Sequence, residues 1–408
     1  MSLDVARLPG VLEACVGHVK NDLPKPKTPR QAKQFSMFQV VQFANIQCNG
    51  SASMTGTCYT EDECTSKNGV SIGTCANGFG VCCRMVMSCG ETSSENITVF
   101  ADTNVPTGMG ECTASINPAN TDVRQIRLDF ERFQIAGPSL VSSEVTKILN
   151  GSPSFMGTPN AAVGQCNLDR FQVQGGSHGR PPIICGLNTG QHMLLDVDES
   201  SNIDLSFQFG SVATVRSFQI RVTQYEMNSP NLAPAGCTQY FTSASGTGVV
   251  QTYNFGNVHL ADQSQVMCVR QIQNACRICW TVADDADFAV SGSVSFGIGG
   301  STQVESCCGP NSKGSNKQGL DCLSLPSAEN KEGTARLRSR FCGRNKGLTT
   351  GPAVSITICS KLTPFQITFR SDSFETIPSI VGTPLPEATA MDKGVKLIYF
   401  QDNMNCMN

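Results

Sequence analysis

The chain has 408 residues, a formal net charge of −3, and charged residues at only 15% of its positions. This balance leaves no basic excess that would attract nucleic acid or an anionic membrane surface, so we expect neither partner. No run of about 18 apolar residues is present, which predicts that no helix spans a membrane.

Cysteine is the residue type that narrows the possibilities most, since the chain has 21 of them. Disulfides persist in oxidising compartments, whereas a reduced cysteine cluster that binds zinc needs CxxC pairs at finger-like spacing or histidines close by. The one CxxC, at Cys276 and Cys279, has no histidine beside it and no βαβ pattern around it. We therefore expect disulfides in place of a zinc site or a redox pair, and a secreted, extracellular protein.

Residues 1–34 are rich in lysine and proline, a composition typical of an extended, solvated arm. Residues 1–22 lack the apolar stretch of a signal peptide, so the sequence is either a processed form or lacks its first exon.

Three Asn-x-Ser/Thr sequons predict glycosylation at Asn49, Asn96 and Asn150.

Residues 35–88 combine an apolar segment with a cysteine cluster. The first part, residues 35–47, is rich in β-branched and aromatic side chains, which predicts a strand. Six cysteines then fall between Cys48 and Cys83, in a segment too short to bury a core of its own. Cross-links must supply its stability, at about 3 kcal/mol for each closed loop of ~15 residues.

From Cys89 onward, apolar and polar residues alternate in several short segments. In VRQIRLDFERF, the residues Ile126, Leu128 and Phe130 alternate with charged ones, and NIDLSFQF and RSFQIRVTQY follow the same pattern. Period-two alternation is typical of a half-buried strand, because successive side chains lie on opposite faces of a sheet. Many such strands between Gly, Asn and Pro turns predict an antiparallel β-sandwich.

An internal repeat predicts that this sandwich occurs twice. The motif CGxNxG is present at Cys185–Gly190 and again at Cys342–Gly347. A cysteine precedes each copy by about twenty residues, Cys166 in the first and Cys322 in the second, and alternating segments follow each copy. Two related domains explain this pattern better than one large domain.

The quoted segments resemble CUB domains of arthropod secreted proteins. IRLDFERFQIAGP, CNLDRFQV and CGLNTGQHMLLDV resemble a first CUB domain, while PAGCTQYFTSASGTGVVQTYNF, VMCVRQIQNACRICW and KGVKLIYFQDNMNC resemble a second, divergent one. The cysteine cluster that ends in GFGVCC is similar to a clip-like leader. The resemblance covers residues 35–406 and implies an all-β chain of two antiparallel, jelly-roll-like β-sandwich domains. Its expected parts are an arm (1–34), a clip-like module (35–88), a first CUB domain (89–229) and a second (230–408).

The resemblance also implies disulfide pairs, namely Cys48–Cys82, Cys58–Cys75, Cys64–Cys83, Cys89–Cys112 and Cys166–Cys185. It places ten cysteines in the second domain with open connectivity: Cys237, Cys268, Cys276, Cys279, Cys307, Cys308, Cys322, Cys342, Cys359 and Cys406. Of these, Cys322 and Cys342 are expected to be disulfide-bonded. Only Cys15, in the arm, is then unassigned. An odd cysteine predicts an intermolecular disulfide or a free thiol, unless its segment is removed during maturation.

Calcium is the metal that the resemblance brings into question. Many CUB domains bind Ca²⁺ through three acidic residues at one end of the sandwich, and use the loaded site to hold a lysine of a partner. In the first domain only Asp169 matches, so we expect no site there. In the second domain Asp372 matches one ligand, and Asp284, Asp285 and Asp287 form an acidic cluster typical of a solvated turn, so that binding there stays open. We expect no other metal and no cofactor.

The sequence gives little sign of a catalytic site. HExxH, GxxxxGK and a GDSGG-like serine-protease segment are absent. We interpret His178, in GGSHGR, and His192 as loop or strand-edge residues, so we do not expect an enzyme. The main hypothesis is a protein that binds an extracellular protein or glycan and associates with itself as a homo-oligomer or polymer. A structural subunit of an extracellular filament or matrix, assembled through the arm and Cys15, is an alternative. Regulation of an extracellular protease or immune cascade is another, and it depends on family analogy alone.

Overall fold

The computed structural model describes residues 42–51, 54–102, 104–139, 164–177, 180–211, 215–284, 287–290, 321–342, 357–371 and 393–404. These residues are nearly all in strands and turns, which confirms the all-β prediction. The arm, Cys15, Asn150, His178, Asp285, Cys307, Cys308, Asp372 and Cys406 lie outside them. No helix in the described part of the chain is long and apolar enough to cross a membrane.

The leader, residues 42–88, contains one short α-helix, one 3-10 helix (Ala76–Gly78) and four strands. Its strands are β1 (Gln47–Asn49), β2 (Thr55–Tyr59), β3 (Val70–Cys75) and β4 (Gly80–Met87), and its α-helix is α1 (Glu61–Ser66). A capping box begins α1: the Thr60 hydroxyl accepts from the Glu63 N–H, and the Glu63 carboxylate accepts from the Thr60 N–H.

The strand predicted over residues 35–47 is wrong for residues 42–46, the part that the structure describes. The N–H of Ile46 donates to the carbonyl of Ala44 at 2.8 Å, which closes a tight turn, and the register with β2 starts with Gln47 opposite Thr57.

The first sandwich has two layers. Its strands are β5 (Thr92–Ser93), β6 (Thr98–Ala101), β7 (Gly110–Ile116), β8 (Val123–Gln134), β9 (Arg170–Gln174), β10 (His192–Asp196), β11 (Ile203–Phe209) and β12 (Ser217–Glu226). One layer has the order β6-β12-β8-β10 and the other β5-β7-β11-β9. Ile126, Leu128 and Phe130 of β8 are buried between the layers, as their alternation predicts.

The leader and the first sandwich share one sheet. Strand β4 pairs with β2 and β3 in the leader and runs parallel to β6 in the sandwich, with Met85 opposite Thr98 and Met87 opposite Phe100. The nearly buried Arg84 of β4 strengthens the connection, since its guanidinium donates to the Glu131 carboxylate of β8 at 2.9 Å. The sheet is therefore continuous from β1 to β10.

The second sandwich is built from shorter strands. They are β13 (Gln239–Phe241), β14 (Thr247–Gln251), β15 (Ser264–Val269), β16 (Arg277–Val282), β17 (Phe288–Ala289), β18 (Cys322–Ser324), β19 (Glu329–Asn330), β20 (Arg340–Phe341), β21 (Ile358–Ser360), β22 (Gln366–Arg370) and β23 (Gly394–Asp402). One layer has the order β13-β15-β22-β18-β20 and the other β14-β23-β16-β21-β19, with β17 on β23. Trp280, the single tryptophan, is buried between them.

Candidate functional site

Disulfides account for every cysteine that the structure describes. Seven of them join described residues: Cys48–Cys82, Cys58–Cys75, Cys64–Cys83, Cys89–Cys112, Cys166–Cys185, Cys237–Cys268 and Cys279–Cys359. Cys276, Cys322 and Cys342 are also disulfide-bonded. The first five pairs are those that the family resemblance implies. Because Cys279 is bonded to Cys359, the CxxC segment is not a redox pair.

The two sandwiches meet at a buried junction formed around the first CGxNxG motif. Within this motif, Gly186 has a φ of +77°, and Asn188 is almost fully buried. The Asn188 amide oxygen accepts from the N–H of Asn254 at 2.8 Å, and Asn254 Oδ1 accepts from the N–H of Leu187 at 3.1 Å. The motif is therefore the docking point for the β14–β15 loop of the second sandwich.

Apolar contacts and further hydrogen bonds extend the same junction. Tyr253 and Leu260, both in the β14–β15 loop, are buried in the core of the first sandwich, where the Tyr253 ring lies 6.4 Å from that of Phe130. The Tyr253 hydroxyl donates to the carbonyl of His192 at 2.9 Å. The two sandwiches consequently share part of one core, and a partner would meet them in a fixed arrangement.

His192 lies in this junction with its imidazole buried. Its Nε2 accepts from the N–H of Tyr240 at 2.8 Å, which requires that nitrogen to be unprotonated. Burial, and then the positive charge of Arg127, lower the pKa of His192 well below its ordinary value of 6.5. The imidazole therefore stays neutral while the junction is closed, and has no access to a substrate.

The depressed pKa predicts that acid weakens the junction. In the unfolded chain His192 has a pKa near 6.5. Its neutral form therefore stabilises the fold fully above this pH, and the stabilisation is lost as pH falls below it. His192→Gln keeps an acceptor for Tyr240 but cannot titrate. Between pH 7 and 5, we expect the free energy of unfolding of the wild type to fall by up to about 1.4 kcal/mol per pH unit more than that of the variant. Urea unfolding at each pH measures this, and parallel pH dependence in the two proteins would contradict it.

Asp169 and Arg216 form a buried ion pair at one end of the first sandwich. The Asp169 side chain is 0% exposed and that of Arg216 only 2%. Arg216 Nε donates to Asp169 Oδ2 and Nη2 to Oδ1, both at 2.8 Å. The N–H groups of Ala136 and Gly210 also donate to the carboxylate, at 2.9 and 3.0 Å. Burial alone would raise the pKa of Asp169, but these donors outweigh it and lower that pKa below its ordinary value.

The second sandwich has an aspartate at the corresponding place. Asp169 directly precedes β9, which pairs with β11, and Asp321 directly precedes β18, which pairs with β22. Here the neighbour is His259, whose Nε2 lies 2.7 Å from the Asp321 carboxylate. Both side chains are 3% exposed, so a substrate has no path to this His–Asp pair.

The remaining candidate metal ligands that the structure describes do not form a site, while Asp285 and Asp372 lie outside the described residues. Among the described residues, the one group of three potential ligands close together is Cys89, Asp102 and Cys112. Its two sulfurs are bonded to each other, so they offer no thiolate to a metal. In the acidic cluster, the backbone carbonyl of the exposed Asp284 accepts from the N–H of Asp287 at 2.9 Å.

A pocket of about 420 Å³ lies where the leader meets the first sandwich. Its polar rim comes from Lys67 and from residues 91–95, and its floor from residues 85–87 of β4. Lys67 is paired with the Glu95 carboxylate, which also accepts from the Tyr59 hydroxyl at 2.9 Å. Lys67 and Glu95 of this pocket are therefore already paired within the chain.

The two sequons that the structure describes differ in their surroundings. Asn49 is exposed on the edge strand β1. Asn96 is also exposed, but its amide is held on the backbone of Gln224: Nδ2 donates to the carbonyl at 3.2 Å, and Oδ1 accepts from the N–H at 2.8 Å. Of the two, Asn49 is the one free of such a bond among the described residues.

Residues 234–402 match the animal CUB domain family, so this part of the chain is a CUB domain. Among solved structures, the chain is similar to the CUB1-EGF-CUB2 domains of rat MASP-1, at 12% identity, with 78% of this chain and 99% of that chain covered and a TM-score of 0.22. It is also similar to the CUB1-EGF-CUB2 domain of human MASP-1/3, at 14% identity, with 76% of this chain and 100% of that chain covered and a TM-score of 0.21. The full extracellular region of zebrafish Gpr126/Adgrg6 matches at 11% identity, with 79% of this chain and 34% of that chain covered and a TM-score of 0.23. TM-scores this low carry no inference about partners, and no curated protein sequence matches the chain. The arthropod type and the clip-like leader stay predictions.

Proposed function

Since residues 234–402 form a CUB domain, we propose that the protein is secreted and acts outside the cell by binding a protein or glycan, without catalysing a reaction. One observation carries the proposal: this domain belongs to a chain in which all 17 described cysteines are disulfide-bonded. Such cross-linking suits an oxidising environment, and CUB domains are binding modules.

The non-enzymatic part of the proposal is supported by the two described histidines. Both His192 and His259 are buried, and their partners are groups of the fold itself. A general base must come within hydrogen-bond reach of its substrate, which these imidazoles cannot do while the chain is folded.

We assign a second copy of this chain as the first partner to test. The support is in the sequence: an unassigned Cys15 on a Lys/Pro-rich arm, in a protein with few charges to keep copies apart. Light scattering on the native protein across a concentration series, with Cys15→Ser as the matched variant, measures the association. We expect the wild type to exceed the mass of one chain, and a non-reducing gel to show a covalent dimer or polymer that Cys15→Ser lacks. Two monomeric proteins would contradict self-association.

Glycan occupancy tests which of the two described sequons can accept a glycan, as expected of a secreted protein. In protein secreted from eukaryotic cells behind an added signal peptide, we expect a glycan on Asn49 and none on Asn96, because Gln224 holds the Asn96 amide. Enzymatic deglycosylation in ¹⁸O water, followed by peptide mass spectrometry, marks each occupied asparagine. Ser51→Ala removes the first sequon and is the control. An unmarked Asn49 would contradict the prediction that this sequon accepts a glycan.

A further inference from the structure

The groups around Asp169 show whether calcium could bind at this end of the first sandwich. Asp169 is the one residue that matches the acidic ligands of calcium-binding CUB domains. Its carboxylate accepts four hydrogen bonds, two from Arg216 and one each from Ala136 and Gly210. An ionised carboxylate has about four lone-pair positions, so none is left for a metal.

The surrounding oxygens face the guanidinium of Arg216. Besides the two bonds to Asp169, Nη1 donates to the carbonyls of Pro106 and Gly108 at 2.6 and 2.7 Å, and Nη2 to that of Gly210 at 2.9 Å. All five guanidinium donors therefore have an oxygen partner. These oxygens come from the β6–β7 loop, the β11–β12 loop and the start of β9, which meet at this end of the sandwich.

Calcium does not fit here. The ion takes about six to eight oxygen ligands at 2.3–2.6 Å, and a guanidinium in the middle of those oxygens would repel it. Arginine supplies a positive charge in the place of the ion. Its guanidinium stays protonated at all physiological pH values and donates two parallel hydrogen bonds to a carboxylate.

We propose that Arg216 is a built-in cation that takes the place of Ca²⁺ and joins the loops at this end of the first sandwich, which therefore needs no metal. Asp169 is consequently closed to a lysine of a partner as well. Any binding by this end of the protein is independent of calcium and of chelators.

A double-mutant cycle tests the proposal on the full chain. Arg216→Met, Asp169→Asn and the double variant are unfolded in denaturant, each in EGTA and in millimolar Ca²⁺. Arg170→Met is the matched control, because Arg170 is the exposed neighbour of Asp169. We expect Arg216→Met to lower the folding equilibrium constant by on the order of 10²- to 10³-fold, since it leaves a buried carboxylate unpaired. The double variant should lose less than the two single losses combined, with the same result in both buffers.

Two outcomes would overturn the proposal. One is a Ca²⁺-induced stabilisation that is present in the wild type and absent in Asp169→Asn, because Asp169 would then be a calcium ligand. The other is an Arg216→Met protein as stable as the control in EGTA. If the variants do not fold, hydrogen exchange of the wild type decides the question. We expect the peptides containing Pro106–Gly110 and Gly210 to exchange equally in EGTA and Ca²⁺, and slower exchange in Ca²⁺ would contradict the proposal.

Discussion

Replacing Tyr253 with alanine is expected to lower the free energy of unfolding by about 3–5 kcal/mol, the range for removing a buried aromatic ring. Tyr253 lies inside the CUB segment 234–402, yet its ring is buried in the core of the first sandwich. The substitution leaves a cavity beside Phe130 and removes the hydrogen bond to the His192 carbonyl. We therefore expect the loss in the first sandwich, although the change is made in the second.

Tyr399→Ala is the matched control for this prediction. Tyr399 is equally buried, but it lies in the core of the second sandwich, with its ring 5.7 Å from that of Trp280. Amide hydrogen exchange separates the two effects. In Tyr253→Ala, peptides from β8 and β11 should lose protection, whereas in Tyr399→Ala the largest loss should be in β16 and β23. Unchanged protection of β8 and β11 in Tyr253→Ala would contradict a shared core.

Gly186→Ala is expected to open the junction between the sandwiches. A side chain is disfavoured at a φ of +77°, and a Cβ atom there would overlap Oδ1 of Asn254. The backbone strain costs about 1–2 kcal/mol. Relief of the overlap requires the Asn254 side chain to move, which gives up its hydrogen bonds to the N–H of Leu187 and the carbonyl of Val258 and adds to that cost.

Gly190→Ala separates the cost of backbone strain from the cost of the overlap with Asn254. Gly190 belongs to the same motif and has a φ of +84°, but nothing lies within 4 Å of the position its Cβ would take. We expect Gly190→Ala to lose only the strain term, and Gly186→Ala to lose more and also to gain exchange in the β14–β15 loop. Denaturant unfolding and hydrogen exchange measure both. Equal losses in the two variants would show that the junction does not depend on this glycine.

Much of the fold could be predicted because β-sandwich strands have a local signature. Strands such as β8 and β9 bury mainly one face, so the alternation alone shows that Ile126, Leu128 and Phe130 point into the core. The strand predicted before Cys48 failed for a local reason, since the turn at Ala44–Ile46 is closed by one backbone hydrogen bond that composition does not reveal. The helix α1 could have been found, because Thr60 and Glu63 have the spacing of a capping box.

The site residues were harder to predict because their partners are distant in the chain. Asp169 and Arg216 are 47 positions apart, and an arginine next to a strand is usually solvated. The CGxNxG motif was interpreted as a repeat within the fold. Its partner Asn254 follows Asn188 by 66 positions and Leu187 by 67. These contacts form only when the two sandwiches are folded against each other. Pairing of this kind is a tertiary property that no local pattern contains.

The sheet shared by leader and first sandwich has a consequence for proteolysis. The three leader disulfides close within residues 48–83, so that among the described residues only the peptide chain through Ser88 connects the leader covalently to the first sandwich. A protease cut at Ser88 would still release no leader, because β4 stays hydrogen-bonded to β6 and Arg84 stays paired with Glu131. The two fragments would travel together on a native column and separate only in denaturant. The leader thus extends the sheet of the first sandwich and stays bound to it after such a cut.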